Sequence, residues 1–156
     1  MTGRLAGIAR HDRPRGLIEE VGQVRVTAAE GVEGNCRGKP VNGKQPLRQI
    51  SLIEAESWQA AMAELAQAGI DPLPWSVRRA NLLVEGVRLP REAGKVITIG
   101  ESLRIETTME CDPCQRMEEV QPGLMAALAP DWRGGVLGRV LSDGEIAVGD
   151  EVRIEE

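Results

Sequence analysis

The sequence predicts a mainly β chain with some α-helix, that is, an α+β fold, and three observations support this prediction. Apolar and polar residues alternate in short segments, as in Gly22–Ala28, where Val24 and Val26 share one face. Only one segment shows a strong helical period. Strands and helices do not alternate regularly along the chain, which disfavours a doubly wound parallel sheet.

Further strands are predicted where aliphatic and β-branched residues run between turn residues. They are Arg48–Ile53, Asn81–Val84, Val96–Ile99, Ser102–Thr107, Gly135–Leu141 and Glu151–Ile154. Gly100–Glu101 is expected to form a hairpin turn before Ser102. The pairs Asp143–Gly144 and Gly149–Asp150 are typical of turns and separate the last strands.

One helix is predicted over residues 55–68, because its apolar residues recur every three or four positions. They are Ala55, Trp58, Met62 and Leu65. Ser51 and Glu54 have the spacing of a capping box, and Gly69 and Pro72 end the helix. Two shorter helices are predicted, over Gln115–Val120 and Pro122–Ala129.

The composition limits both the core and the class of ligand. The chain is 42% hydrophobic but contains no Phe and no Tyr, so its core must be built mainly from aliphatic residues. With three Trp as its only aromatic residues, it has little to stack against nucleobases. The formal net charge of −5 also argues against a polyanion. We therefore expect no nucleic-acid partner.

Length and targeting signals indicate one cytoplasmic domain. A chain of 156 residues suits a single domain, which we expect to span residues 1–156. The N-terminal segment lacks the apolar stretch of a secretory signal, and no run approaches a membrane span, so no membrane partner is expected. The odd count of three cysteines suits a reducing compartment. Residues 31–46, rich in Gly, Asn and Pro, are predicted to form a long mobile loop.

The segment Cys111-Asp112-Pro113-Cys114 is the clearest candidate for chemistry. Cys114 is expected at the start of a short helix, where the thiolate is favoured over the thiol and can ligate a soft metal or carry sulfur. One alternative is a pair of buried, inert cysteines. A zinc site that adds Cys36 and His11 is another, and a thioredoxin-like redox pair is a third.

Arginines form the second candidate group, because a guanidinium binds phosphate and carboxylate with two parallel hydrogen bonds. Those expected to converge on one rim are Arg48, Arg78, Arg79, Arg116, Arg133 and Arg139. Arg79 and Asn81, two positions apart ahead of an apolar run, are expected to share one strand face. Gly134, beside Arg133, would let backbone N–H groups approach a ligand. The alternative is that most of these arginines are solvated surface residues.

Short segments of the chain also stand in a characteristic order. They are Gly31–Asn35, Arg48–Glu54, Arg78–Leu82, Ile99–Gly100, Cys111–Cys114, Gly134–Val140 and Gly149–Val152. This order resembles the MOSC family, the molybdenum cofactor sulfurase C-terminal domains, over residues 22–154. The resemblance implies a β-barrel-like domain with a few short helices that binds a molybdopterin-type cofactor.

The resemblance also implies roles for individual residues. Cys114 would be the sulfur carrier or the molybdenum ligand, and Arg79 and Asn81 would hold the pterin or its phosphate. Asp112 and Pro113 would line the same pocket. The family often has Gly-Asp-x-His where this chain has Gly34 followed by Asn-Cys-Arg, so the acidic and imidazole groups of that loop are absent.

Two functions fit this resemblance. One is a small molybdenum oxidoreductase that reduces N-hydroxylated compounds and takes electrons from a donor protein. The other is a sulfur carrier that passes a Cys114 persulfide to a metal–sulfur cofactor; since the chain has no pyridoxal phosphate site, a separate cysteine desulfurase would then be the partner. An alternative from another class is a non-catalytic pterin- or anion-binding module with structural cysteines.

Overall fold

Strands dominate the computed structural model, which describes residues 1–156. The strands are β1 (Thr2–Arg10), β2 (Glu19–Glu20), β3 (Gln23–Thr27), β4 (Gly31–Val32), β5 (Ile50–Glu54), β6 (Leu82–Glu85), β7 (Val96–Ile99), β8 (Leu103–Glu110), β9 (Val136–Ser142), β10 (Gly144–Ala147) and β11 (Glu151–Ile154). The helices are α1 (Ala55–Gln67), α2 (Gln115–Val120) and α3 (Leu124–Leu128), with 3₁₀ turns at Trp75–Arg78 and Pro130–Trp132. The predicted α+β class is confirmed.

Seven of the strands close into a barrel in the order β1-β11-β7-β8-β9-β5-β6 and back to β1. Neighbours are antiparallel except β5 and β6, which run parallel. A parallel pair needs a crossover, and the segment that contains α1 and the first 3₁₀ turn supplies it. Strands β3, β4 and β10 form a separate three-stranded sheet.

The barrel interior is aliphatic, as the absence of Phe and Tyr predicts. One cluster of 19 buried residues fills it, including Ile50, Leu52 and Leu103. Each such side chain contributes about 1.5–3 kcal/mol by leaving water. Gly3 permits closure where β1 meets β6, because a Cβ on Gly3 would lie 2.4 Å from the carbonyl oxygen of Glu85.

A second cluster packs the helices against the outside of the barrel. The predicted apolar stripe of α1 is buried there or at its edge and meets α3. Met117 of α2 joins the same cluster, which anchors the segment that follows Cys114. No helix in the structure combines the length and apolar character that crossing a membrane requires.

One strand is not among the predictions, and two local predictions are wrong. The sequence analysis gives no strand for β1, because small residues, among them Gly3 and Gly7, interrupt its alternation. The predicted turn at Asp143–Gly144 is shorter than expected, because Gly144 already belongs to β10 and pairs with Val26 of β3. The capping box is displaced: Ser51 lies inside β5, and Glu54 is the N-cap residue of α1, where its carboxylate accepts a hydrogen bond from the hydroxyl of Ser57 at 2.8 Å.

Candidate functional site

A cavity of about 180 Å³ opens where the parallel strands β5 and β6 begin. The end of β1, the loop after β4 and the start of α2 supply its other walls. Its lining residues are His11, Asn35, Arg37, Arg48, Gln49, Ile50, Ser51, Arg78, Arg79, Asn81, Cys114, Arg116 and Met117. We refer to it as the arginine cavity.

The arginine cavity is strongly cationic although the chain is acidic overall. Five arginines line it, and no Asp or Glu does. None of the five has a carboxylate within salt-bridge distance, in contrast with most arginines elsewhere in the chain. Unpaired guanidinium groups that surround a concave space are the usual arrangement for binding phosphate or carboxylate.

Arg78 is 5% exposed and holds two loops of the cavity together. Its Nε donates to the carbonyl of Gly134 at 3.0 Å, and its Nη2 donates to the carbonyl oxygen and the Sγ of Cys111 at 2.8 and 3.1 Å. Gly134 must lack a side chain here, because a Cβ would lie 2.4 Å from the Cys111 carbonyl oxygen. Cys111 is therefore a buried structural partner of Arg78.

Arg79 and Asn81 both line the cavity, but not as neighbours on one strand face. Arg79 ends the first 3₁₀ turn with a left-handed φ of 66° and donates to the carbonyl of Gly16 at 2.8 Å. Burial lowers the pKa of Arg79, and the charge of Arg116 lowers it further.

Asn81 uses its amide to join three strands. Its Oδ1 accepts hydrogen bonds from the N–H and the hydroxyl of Ser51 at 3.1 and 3.2 Å, and its Nδ2 donates to the carbonyl of Ala9 at 3.2 Å. Asn81 thereby ties the starts of β5 and β6 to the end of β1, and it fixes the floor of the cavity.

His11 reaches the cavity from the end of β1 and carries a polar atom with no partner. Its Nδ1 is buried and makes no hydrogen bond, and the same is true of the Nε of Arg116. Burial lowers the pKa of His11, and the charges of Arg79, Arg37 and Arg116 lower it further against the opposing charge of Asp12, so the neutral imidazole is favoured.

Cys114 is the exposed thiol of the site. It occupies the N-cap position of α2 in an extended conformation, as the sequence predicted, and its Sγ makes no hydrogen bond to the protein. Cys111 is buried and bonded to Arg78, whereas Cys36 lies in the loop beside His11, its N–H donating to the His11 carbonyl at 2.8 Å. The structure contains no group of three or more His, Cys, Asp or Glu side chains placed to hold a metal ion.

Four other sequence candidates lie away from the cavity. Asp112 and Pro113 line a separate open groove with residues of α2 and α3. Arg133 pairs with Glu64 at 2.6 Å and lines a different cavity. Arg139, of the wider arginine group, pairs with Glu106 at 3.3 Å.

The sequence analysis names His11 only as part of the alternative zinc site, and it does not name Asn35 or Arg37 as site residues. The strand β1, which presents His11, is not among the predicted strands. Asn35 and Arg37 flank the cysteine in the loop where the family pattern changes. That departure from the pattern was the available signal for both residues.

Comparison with known proteins gives one family and a set of structural neighbours. The model of the MOSC domain matches residues 39–153. The YuaD protein from Bacillus subtilis is 18% identical, with a TM-score of 0.78 over 99% of this chain and 96% of its own. YiiM from Escherichia coli is 16% identical, with a TM-score of 0.66 over 98% and 70% of the two chains. YiiM from Geobacillus stearothermophilus is 17% identical, with a TM-score of 0.64 over 99% and 73%. No curated protein matches the sequence. At these identities the structural likeness supports the fold.

Proposed function

The chain belongs to the MOSC domain family, which is associated with the molybdenum cofactor, and on this premise we propose that it binds that cofactor in the arginine cavity and uses Cys114 as its reactive thiol. The observation that carries the proposal is the position of Cys114. It is an exposed thiol with no protein partner on the wall of a cavity that has five unpaired arginines.

The lining residues fit an anionic cofactor. A buried polar atom without a hydrogen-bond partner costs about 1–3 kcal/mol, and the cavity holds two such atoms, Nδ1 of His11 and Nε of Arg116. The phosphate of a pterin cofactor accepts hydrogen bonds and compensates positive charge at once. Arg79 and Arg116, both partly buried, are the residues we assign to that phosphate.

Arg78 and Asn81 have a supporting role in this proposal. The hydrogen bonds of Arg78 engage Nε and Nη2, so it supplies positive charge while it keeps the Cys111 loop in place. Asn81 keeps the strand ends together beneath the ligand. When bound, the cofactor supplies a redox-active metal that accepts a sulfur ligand, and Cys114 Sγ is the protein group placed to provide one.

Sulfur carriage is the use of Cys114 that its exposure favours, because a carrier thiol must meet a donor protein. The Cys114 thiolate attacks the outer sulfur of a donor persulfide, an S–S bond forms on Cys114, and the donor leaves as a thiolate, so no external oxidant is needed. A cysteine desulfurase is the class of donor that supplies such a persulfide. The nearby arginines stabilise the anionic sulfur on either side of the transfer.

Molybdenum ligation in a small reductase is the second candidate and requires the same exposed thiol. The alternative of a binding module with structural cysteines fits Cys111, whose Sγ accepts a hydrogen bond from Arg78, but it does not explain Cys114.

The test is to purify the protein from a host that makes molybdenum cofactor and to measure pterin, molybdenum and sulfane sulfur per chain. We expect pterin in the wild type. Cys114→Ser should retain the pterin and lose the molybdenum or the persulfide, whereas Arg79→Ala should weaken pterin binding by at least about 1.5–3 kcal/mol.

Matched controls separate binding from folding. Arg25 is another exposed arginine without a salt bridge, but it lies on β3 away from the cavity, so Arg25→Ala should load normally. Position 79 has a left-handed φ, which is equally unfavourable for alanine and for arginine. Backbone strain should therefore be the same in Arg79→Ala and in the wild type. Full loading of a folded Arg79→Ala protein would contradict the cavity assignment, and full sulfur and metal loading of Cys114→Ser would contradict the thiol assignment.

A further inference from the structure

We propose that Arg37 and Arg48 form a second anion site at the mouth of the arginine cavity, which holds a small co-substrate with a carboxylate or phosphate group next to Cys114, in addition to any protein that delivers sulfur to this thiol. The inference rests on the proposed role of Cys114, and it adds the chemical class of the co-substrate.

The cavity has an inner and an outer set of arginines. Arg78 is buried, and Arg79 and Arg116 are partly buried, so these three form the inner set. Arg37 and Arg48 are exposed and form the outer set. The guanidinium group of neither outer arginine makes a hydrogen bond or a salt bridge to the protein. Their guanidinium groups are therefore available to a ligand.

A buried glutamine holds the two outer arginines on one rim. Gln49 is 1% exposed, and its Nε2 donates to the carbonyl of Gly38 at 2.9 Å, so the residues that follow Arg37 and Arg48 are bonded to each other. Gly38 fits this contact only as glycine, since its φ is 124° and a Cβ would lie 2.3 Å from the carbonyl oxygen of Glu30.

The other end of the same loop is fixed to the cavity wall. The side-chain oxygen of Asn35 accepts a hydrogen bond from the N–H of His11 at 3.0 Å, and the N–H of Cys36 donates to the carbonyl of His11 at 2.8 Å. Arg37 stands between these bonds and the Gln49–Gly38 bond, so the backbone that presents it is pinned on both sides.

The charge of the cavity favours more than one anionic group. A phosphate monoester carries about two negative charges near neutral pH. The cofactor phosphate can thus compensate about two of the five arginines, which leaves about three positive charges, two of them on the exposed pair at the mouth. A second anion bound there lowers the electrostatic free energy of the site and is brought up to Cys114.

The carboxylates nearest to Cys114 in sequence do not neutralise this rim. Asp112 and Glu118 line the separate groove, and Glu118 accepts a hydrogen bond from the N–H of Gly123 at 3.0 Å. Glu110 is directed to Asp112: burial raises the pKa of Glu110, and the charge of Asp112 and a hydrogen bond to it raise it further. These three carboxylates therefore do not pair with the arginines at the mouth, and Asp12 is the acidic residue whose charge acts on His11.

Two alkylating reagents of similar size test the proposal directly on the purified protein. Iodoacetate carries a negative charge and iodoacetamide does not, and peptide mass spectrometry gives the rate of each at Cys114 separately from Cys36 and Cys111. We expect the ratio of the iodoacetate rate to the iodoacetamide rate to exceed that of a free thiol. The ratio should fall about threefold or more in each of Arg37→Ala and Arg48→Ala, and it should stay unchanged in Arg25→Ala.

Competition and cofactor loading complete the test. Inorganic phosphate should slow iodoacetate at Cys114 of the wild type more than sodium chloride of equal ionic strength, and it should lose this effect in the Arg37→Ala, Arg48→Ala double variant. An unchanged rate ratio in that double variant overturns the proposal. So does a loss of pterin from the double variant as large as that of Arg79→Ala, because the outer pair would then belong to the cofactor. Alkylation needs no cofactor. The alkylation rates therefore test the second anion site even if the wild-type protein proves not to bind the cofactor, and the two proposals can fail separately.

Discussion

The two ends of the parallel pair β5 and β6 differ in whether their charged side chains are paired. At the start of the strands, the five arginines of the arginine cavity face one another without a carboxylate. At the end of the strands lies a cavity of about 500 Å³, which is lined by both signs of charge, including Glu54, Arg88 and Asp131.

The charges at the strand ends are paired within the protein. The carboxylate of Glu54 accepts hydrogen bonds from Arg91 and from the N–H of Leu89, and Arg88 pairs with Asp131 at 2.6 Å. Burial would raise the pKa of Glu54, but the hydrogen bonds from Arg91, Leu89 and Ser57 outweigh it and lower the pKa below its ordinary value. Charges at this end are paired with one another, whereas the arginines at the opposite end have no carboxylate partner.

The largest expected effect is on stability, and it separates the two ends. Glu54→Gln should lower the free energy of unfolding by about 1–3 kcal/mol, because it removes the charge-assisted hydrogen bonds from the partly buried Arg91, which keeps only the more distant carboxylate of Asp131. Arg48→Gln, at the other end of the same strand, should change it by about 0.5 kcal/mol or less, because Arg48 makes no protein contact that is lost. Urea unfolding of both variants measures the difference. An equal loss of unfolding free energy in the two variants would contradict the proposed difference between the two ends.

The pH dependence of the same two proteins sharpens this prediction. Since the folded-state pKa of Glu54 is depressed, its contribution to stability is present above the unfolded-state pKa and is lost as the pH falls through the folded-state value. Wild-type protein should therefore lose stability in acid more steeply than Glu54→Gln. If the free energy of unfolding fell equally with pH in the two proteins, the Glu54 carboxylate would not be stabilised by its hydrogen-bond partners.

The sequence was sufficient for the elements that have a clear period. The α1 stripe, the hairpin of β7 and β8, and the position of Cys114 at the start of α2 were all predicted from local patterns. The MOSC family and the α+β barrel class are confirmed. These features depend on residues close in sequence, or on motifs whose order is retained.

The arginine cavity was only partly predictable, because long-range pairing assembles it. His11 enters it through β1, a strand whose glycines hide its period, and the closure of β1 against β6 places His11 beside Arg79. Arg133 and Arg139 resembled the other arginines in sequence, but both pair with nearby glutamates. Local sequence does not show which arginines form an ion pair, because the carboxylate partner is distant in sequence.

His11 offers a spectroscopic test of the unpaired end. It is the only histidine, so its imidazole NMR signals are assigned without ambiguity. Burial and the charges of Arg79, Arg37 and Arg116 depress its pKa in the free protein. An anion in the cavity offsets those charges, so inorganic phosphate should raise the pKa of His11.

The pKa of His11 can also be tested by replacing an arginine instead of adding an anion. Arg37→Ala removes one of the three positive charges and should itself raise the pKa of His11, whereas Arg88→Ala at the paired end should leave it unchanged. A His11 titration that responds to neither phosphate nor Arg37→Ala would place the cavity charges too far from the imidazole to matter.

The smallest expected effect concerns the loop over residues 31–46, whose mobility stays a prediction. Backbone bonds hold its first part, since the N–H groups of Asn35 and Cys36 donate to the carbonyls of Val32 and His11. Beyond Gly38 its only backbone pairing is between Val41 and Lys44. Amide exchange should therefore be slow at positions 35 and 36 and fast at Lys39, Asn42 and Gly43, in contrast to the strand residues at the paired end. Phosphate should slow exchange at Arg37 and its neighbours if the loop closes on a bound anion. Uniform protection of residues 31–46 in the free protein, equal to that of the barrel strands, would show instead that the cation-rich mouth is as rigid as the ion-paired end.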